Sequence, residues 1–189
     1  MKFKFIFLTI TTLALAPQAN SEEYYIGGQL SHIDIGSESN NTLSFIIGRP
    51  INHYFAIEGH IGSSVFGEQT ETGTASPDPN IYFLERSQHL NEYYALYGVF
   101  KKELPNDKYA IIGKLGFAKA NLDGADAIVN TQDGTFTGYN WGTESGLSYG
   151  LGIAFETSAN ASISLAWNQL LKFDDTKING LGLTFQKGF

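Results

Sequence analysis

The chain has 189 residues, carries nineteen acidic side chains against twelve basic ones for a formal charge of −7, and contains no cysteine. That balance argues against a general nucleic-acid binder, which needs a basic surface, and the lack of thiols excludes a disulfide framework and a thiolate metal site. The length suits one domain and not two.

Residues 1–21 stand apart from the fold. Lys2 and Lys4 make a basic start, Phe5 to Ala16 is mostly apolar, and Ala19, Asn20 and Ser21 offer small residues ahead of Glu22 and Glu23. This is the pattern of a cleaved secretory signal peptide; a cut after Ala19 or Ala16 stays open. Residues 22–189 form the exported domain. No stretch of it reaches the ~18 consecutive apolar residues of a transmembrane helix, but barrel strands need apolar residues only at every second position.

The first strand is expected over Tyr24 to Asp34, with Tyr24, Ile26 and Leu30 on one face and Gly27, Gln29 and Ser31 on the other; Tyr25 and Ile33 blur the alternation. The second, Thr42 to Gly48, sets Leu43, Phe45 and Ile47 against Ser44, and Arg49 to Asn52 turns the chain. The third, Tyr54 to Phe66, separates Phe55, Ile57, Ile61 and Val65 from Ala56, Glu58, His60, Gly62 and Ser64. Gly67 to Ser87 reads as a long loop, with Ile81 to Leu84 as a prolongation of the next strand or a short excursion. In the fourth strand, His89 to Lys101, two sets compete for the outer face; the reading favours Tyr93, Ala95, Tyr97 and Val99 over Tyr94, Leu96 and Phe100.

After a turn at Glu103 to Asp107, the fifth strand (Lys108 to Ala120) alternates Tyr109, Ile111, Leu115 and Phe117 with Ala110, Lys114, Gly116 and Ala118. Asn121 to Thr143 reads as a second long loop. The sixth strand, Gly146 to Glu156, is the most regular: Leu147, Tyr149, Leu151, Ile153 and Phe155 oppose Gly146, Ser148, Gly150, Gly152, Ala154 and Glu156. The seventh, Ala161 to Lys172, sets Ile163, Leu165 and Trp167 against Ser162, Ser164, Ala166 and Asn168. The eighth runs from Lys177 to Phe189 with Leu181, Leu183, Phe185 and Phe189 on one parity.

A soluble sandwich would carry Lys, Glu and Thr on its second face. Here strands five, six and eight put glycine, alanine and serine there, which suits the crowded interior of a narrow barrel. Tyr24, Tyr54, Tyr109, Phe155 and Phe189 fall at strand ends, and Trp141 with Tyr139 closes the second long loop; these are places for membrane-interface aromatics. The fold class is all-β, an eight-stranded antiparallel transmembrane β-barrel, with a soluble periplasmic β-sandwich as the alternative.

Leu181, Leu183, Phe185 and the final Phe189 resemble the assembly signal of bacterial outer-membrane β-barrel proteins, although Lys187 stands where that family often has an aromatic residue. Tight second, fourth and sixth connections alternating with long third and fifth ones resemble periplasmic turns and extracellular loops; the short first and seventh connections are exceptions. Over Tyr24 to Phe189 the whole pattern is similar to the small eight-stranded outer-membrane barrels that include the OmpA transmembrane domain and the OmpX and Ail type. The resemblance implies the outer membrane of a Gram-negative cell, termini on the periplasmic side, lipid and lipopolysaccharide around the wall, and delivery by the barrel-assembly machinery. It also implies a structural or surface-interaction role, with a host surface or serum factor as partner. A small-conductance pore and a lipid A-modifying hydrolase are the alternatives.

Glu58, His60, Lys114 and Glu156 are assigned to the interior as a polar network, because a charge in a narrow barrel is costly unless paired. The network is either a plug or a gate. His60, Ser64 and Glu58 share one strand face, which invites a hydrolase reading. Steps of two along a strand cover ~7 Å, a separation read as too great for direct hydrogen bonding. The lipid A deacylase family, a barrel with a His-Ser-Glu site, has a closely spaced His and Ser with no evident counterpart here. Asp123, Asp126 and Asp133 read as solvated turn residues in preference to a Ca²⁺ site, lacking EF-hand spacing. The reading assigns no catalytic, cofactor or metal residues.

Overall fold

Strands whose large apolar side chains alternate with small or polar ones can hide the smaller face by curling towards it, and here the curl closes completely. The structure, a computed structural model, describes residues 24–36, 38–66, 71–75, 81–105, 108–130, 136–140, 142–158, 161–173 and 175–189. The expected signal peptide, Asp133 and Trp141 lie outside the described residues, as do the side chains of Asp126 and Tyr139.

In chain order the strands are β1 (Tyr25–Ile35), β2 (Glu38–Pro50), β3 (Phe55–Phe66), β4 (Glu71–Ala75), β5 (Ile81–Glu103), β6 (Tyr109–Asn130), β7 (Phe136–Asn140), β8 (Thr143–Ser158), β9 (Ala161–Phe173) and β10 (Thr176–Gly188). All but β4 and β7 are staves of the wall. They pair antiparallel with their neighbours, and β1 meets β10 from Tyr25↔Gly188 to Ile35↔Ile178, closing an eight-stranded antiparallel barrel. The first turn follows its residue types. Asn52 accepts the backbone N–H groups of Tyr54 and Phe55 on its side-chain oxygen, at 2.8 and 3.0 Å, while Pro50 ends the ladder of β2.

The two long connections correct the sequence reading, except that Ile81 to Leu84 does prolong the next strand, as one of its two readings had it. Much of 67–87 and 121–143 is strand and not loop. β5 is joined to β3 only from Glu92 onwards and β6 to β8 only as far as Asn121, yet β5 and β6 stay paired out to Ile81↔Asn130. Their free ends rise roughly 30 Å along the strand direction. β4 adds to the edge of β5 and β7 to the edge of β6. A four-stranded blade therefore stands on the barrel end opposite the termini.

The facing of the fourth stave is a second correction. Tyr93, Ala95, Tyr97 and Val99 are buried in the lumen, and Tyr94, Leu96 and Phe100 face outward. The cause is a register shift between Leu90 and Glu92. One extra residue reverses the parity of a strand, so even-numbered Leu90 and odd-numbered Tyr93 both point inward.

Outside, the barrel wears an apolar belt that includes Leu30, Leu43, Ile61, Leu96, Phe117, Leu151, Leu165 and Leu183, all exposed. Inside, the lumen is layered. Its upper end, beneath the blade, is an apolar cap in which Ile33, Ile35, Leu90, Leu122, Leu171 and Ile178 are buried together. Below the cap the lining mixes polar side chains with buried Ile46, Val99, Ala110, Ile112 and Ala154.

Gly48 shows how tightly the lower lumen is filled: a Cβ there would fall on the Tyr25 ring. Gly48→Ala is expected to cost about 1–3 kcal/mol by displacing that ring. Urea titration of the refolded barrel in detergent measures this; an unchanged midpoint would mean that the ring does not need the space.

Candidate functional site

Glu58 points into the barrel from β3, three residues above the turn, and is almost fully buried. Its carboxylate is met on both oxygens. Tyr25 Oη donates to Oε1 at 2.9 Å and Gln186 Nε2 to the same oxygen at 2.8 Å. Lys114 Nζ donates to Oε2 at 2.6 Å, and His60 Nε2 lies 2.9 Å from it. Four partners on β1, β3, β6 and β10 converge on one group. Such charge-assisted bonds are the strong ones, and here they tie opposite walls together through the axis of the barrel.

Aromatic side chains complete the level. The His60 and Tyr97 rings meet edge-on, with centroids 4.9 Å apart, and Lys114 Nζ lies 5.9 Å from the centre of the Tyr97 ring. Tyr97 Oη and Ser148 Oγ are 2.7 Å apart, and Ser148 donates to the Gln169 carbonyl at 3.0 Å. Higher up, Tyr93 Oη donates to Ser44 Oγ at 2.9 Å, and Thr184 Oγ1 donates to Gln29 Oε1 at 3.1 Å. A cavity of about 20 Å³ remains between this layer and the cap, bordered by Gln29, Ser31, His60 and Asn168. That is room for roughly one water molecule.

The structure therefore brings Glu58, His60 and Lys114 together and leaves Glu156 apart. Glu156 faces inward at the lower mouth, where Lys101 Nζ reaches its Oε1 at 2.5 Å. Strand register explains the separation: Lys114 sits opposite Gly150, with Gly152 and Ala154 intervening before Glu156. The expectation that neighbours at i and i+2 are too distant to bond is also corrected. The backbone spacing is as expected, but the Glu and His side chains are long enough to lean towards each other and bridge it. Ser64 is remote from that pair; its hydroxyl lies 3.4 Å from Asn40 Oδ1. Asp123 belongs to β6, opposite His89. Among the described residues no three His, Asp or Glu side chains cluster to hold a metal.

Tyr24, Tyr54, Tyr109, Phe155 and Phe189 are exposed and all lie at one rim, that of the termini and the short turns. The Tyr109 and Phe155 rings pack with centroids 5.2 Å apart, and the Arg49 guanidinium sits 5.6 Å from the Tyr24 ring centre. Lys187 is exposed on the same rim, and Leu181, Leu183 and Phe185 face outward above it. The sequence reading misses the aromatic pair nearer the other rim, Tyr149 and Trp167, 5.9 Å apart, with Tyr149 Oη donating to Gln169 at 3.0 Å. Adjacent strands with a Tyr and a Trp on their greasy faces are the available signal; only the register joins them.

Comparison with known proteins places this architecture. The family described as the outer membrane protein beta-barrel domain matches residues 5–189. The barrel is similar to the N-terminal β-barrel domain of Pseudomonas aeruginosa OprF, at a TM-score of 0.51 and 9% identity, covering 87% of this chain and 97% of that one. It is also similar to Ail, the attachment invasion locus protein of Yersinia pestis, at 0.48 and 19%, over 90% and 100% of the two chains. Neisserial surface protein A matches at 0.49 and 11%, over 89% and 100%. No curated protein matches this chain in sequence.

Proposed function

The chain belongs to the outer membrane protein β-barrel family, and from that premise we propose that it is a non-conducting surface protein whose working part is the blade. Members of this class span the outer membrane with their strands, and this chain does so with eight. The observation that carries the reading is the continued pairing of β5 with β6 beyond the wall, flanked by β4 and β7. A barrel serving only as a membrane filler has no use for ~30 Å of ordered sheet outside the bilayer, whereas loops on a rigid scaffold are where binding is placed. The finer reading is adhesion to a host surface or capture of a serum factor.

Two closures argue against a pore. Ions would have to displace the Glu58 network at mid-lumen and then pass the cap, whose packed aliphatic side chains leave little polar surface to replace a hydration shell, the Asn40 side-chain oxygen there already accepting from the Leu90 N–H at 3.3 Å. Purified protein in planar bilayers is expected to give no discrete conductance steps; regular steps would revive the pore.

The binding role is tested by replacing 67–88 and 124–141 with tight turns. Cells expressing this variant should keep a heat-modifiable outer-membrane barrel but lose adhesion to epithelial monolayers and retention of serum proteins. Equal adhesion and retention by both forms would sink the surface-binding reading.

A further inference from the structure

We propose that the chain forms a two-fold dimer in the membrane, each copy presenting the outer face of β5 and β6, from the wall up into the blade, to a second copy of itself. The inference rests on the membrane-spanning reading and not on adhesion.

The faces of the blade follow from β6. Its pairing with β8 is unbroken from Tyr109 to Asn121, with Ala118, Ala120 and Leu122 buried in the lumen and Phe117 and Lys119 exposed on the outer wall. Both register shifts between β5 and β6 add a residue to β5 and none to β6, so the parity of β6 carries on above the wall. Ala125, Ala127 and Val129 therefore lie on the face that continues the outer wall, with their partners Arg86, Leu84 and Tyr82. Asp126 and Ile128, with Glu85 and Phe83, lie on the face that continues the lumen side. A sheet face turned to water is ordinarily polar. Here the outer face carries two rows, Gly73, Leu84, Ala127 and Gly138, then Ala75, Tyr82, Val129 and Phe136, without one charge between them.

The membrane decides how a second copy can meet that face. Copies inserted with their termini on the same side are related by an axis along the membrane normal, and a two-fold interface is self-complementary. Such an axis, passing between β5 and β6, lays β5 of one copy over β6 of the other. Leu84 then meets Ala127 of the second copy, and Tyr82 meets Val129, large against small in both rows at the ~10 Å spacing of packed sheets. The other face would bring Glu85 against Asp126, acid on acid, and it turns towards the axis of its own barrel.

The wall beneath fits the same axis. Glu92 on β5 and Lys119 on β6 are exposed near its top, paired with Asn121 and Tyr94, so the axis brings each Glu92 towards Lys119 of the second copy. A groove lined by Tyr94, Leu96, Phe117 and Lys119 opens outward here, and Phe117, 69% exposed, is the most exposed large apolar side chain among the described residues. Gly98 and Gly113 follow on the same two strands. A Cβ would meet only the Leu115 carbonyl oxygen, at 3.7 Å, at the first and nothing within 4 Å at the second. Nothing within the chain asks for glycine there, and small residues let membrane-spanning elements approach closely. Blade and wall together offer roughly 600 Å² per copy, the lower end of stable interfaces.

The chain has no cysteine, so single cysteines report the contact without background. In outer membranes of cells expressing the full chain, mild oxidation of Ala127→Cys is expected to give a disulfide-linked band of twice the chain's mass, because the residue lies beside the axis. Ile128→Cys, one residue on and on the other face, should stay monomeric. Adding Leu84→Arg to Ala127→Cys should abolish the dimer band while leaving heat-modifiable mobility, the sign of an intact barrel, unchanged. No Ala127→Cys dimer, equal cross-linking of the two cysteines, or a dimer that survives Leu84→Arg overturns the proposal, as does an Ala127→Cys adduct with a serum or host protein alone. Adhesion separates the two levels: adhesive cells without the dimer sink this interface only, and a dimer on cells that do not adhere keeps the interface and sinks the adhesive role.

Discussion

Glu58→Ala is expected to destabilise the folded barrel by about 3–5 kcal/mol, the range for removing one partner of a buried ion pair. The loss has a clear origin. Four groups bond to this carboxylate, and its removal leaves the Lys114 ammonium buried with no counter-charge. Lys114→Met, which strands the carboxylate, should fall in the same range. The informative comparison is with the double variant Glu58→Gln/Lys114→Met. It removes both charges while keeping the volume, and should recover most of either single loss, because paired burial of charges often contributes little net stability. Urea unfolding in lipid vesicles gives all three numbers. A parent-like midpoint for Lys114→Met would show that the pair does not hold the barrel together, and, with Glu58→Gln as the matching single variant, full additivity in the double variant would show that the two charges act separately.

Truncating the cap should cost a comparable amount by a different route. Leu90 and Leu171 are fully or almost fully buried on opposite sides of the upper lumen, so Leu90→Ala or Leu171→Ala each removes packed methyl groups and leaves a cavity that strands on a closed barrel cannot collapse to fill. About 2–5 kcal/mol each is the expected loss. The two variants also separate plug from cap. With the Glu58 level intact, neither should give channel activity in planar bilayers, whereas Leu90→Ala/Leu171→Ala combined with Glu58→Gln/Lys114→Met opens both levels. Conductance in the cap double variant alone would mean that the Glu58 network does not seal the lumen; a negligible change in unfolding midpoint would mean that the cap is not packed.

How far residues alone lead varies along the chain. β8 and β10 are legible because every second residue is large and apolar, and no bulge interrupts the alternation between Gly146 and Phe155. Glu58 and Lys114 are legible as interior charges by parity, but parity places a residue on a face and says nothing of its height. Glu156 has the same parity and belongs to a different level, beside Lys101. Tyr25 and Ile33, which blur the first strand, both have lumen roles: Tyr25 reaches Glu58, and Ile33 joins the cap. The interior is not uniformly small and polar, so an apolar residue on the inward parity reads as noise until the layers are seen.

The sequence by itself determined the class of architecture and most of its two faces, since a period of two and the contrast between large and small side chains are local properties that every pairing must respect. Tertiary structure alone decided the register. Register set which charges met, where the bulges in β5 and β9 reversed a face, and how β5 and β6 outran the wall to form the blade. The physical reason is that one extra residue in a strand exchanges inside for outside, and whether it is accommodated depends on hydrogen bonds to a neighbouring strand, whose distance along the chain no local pattern records.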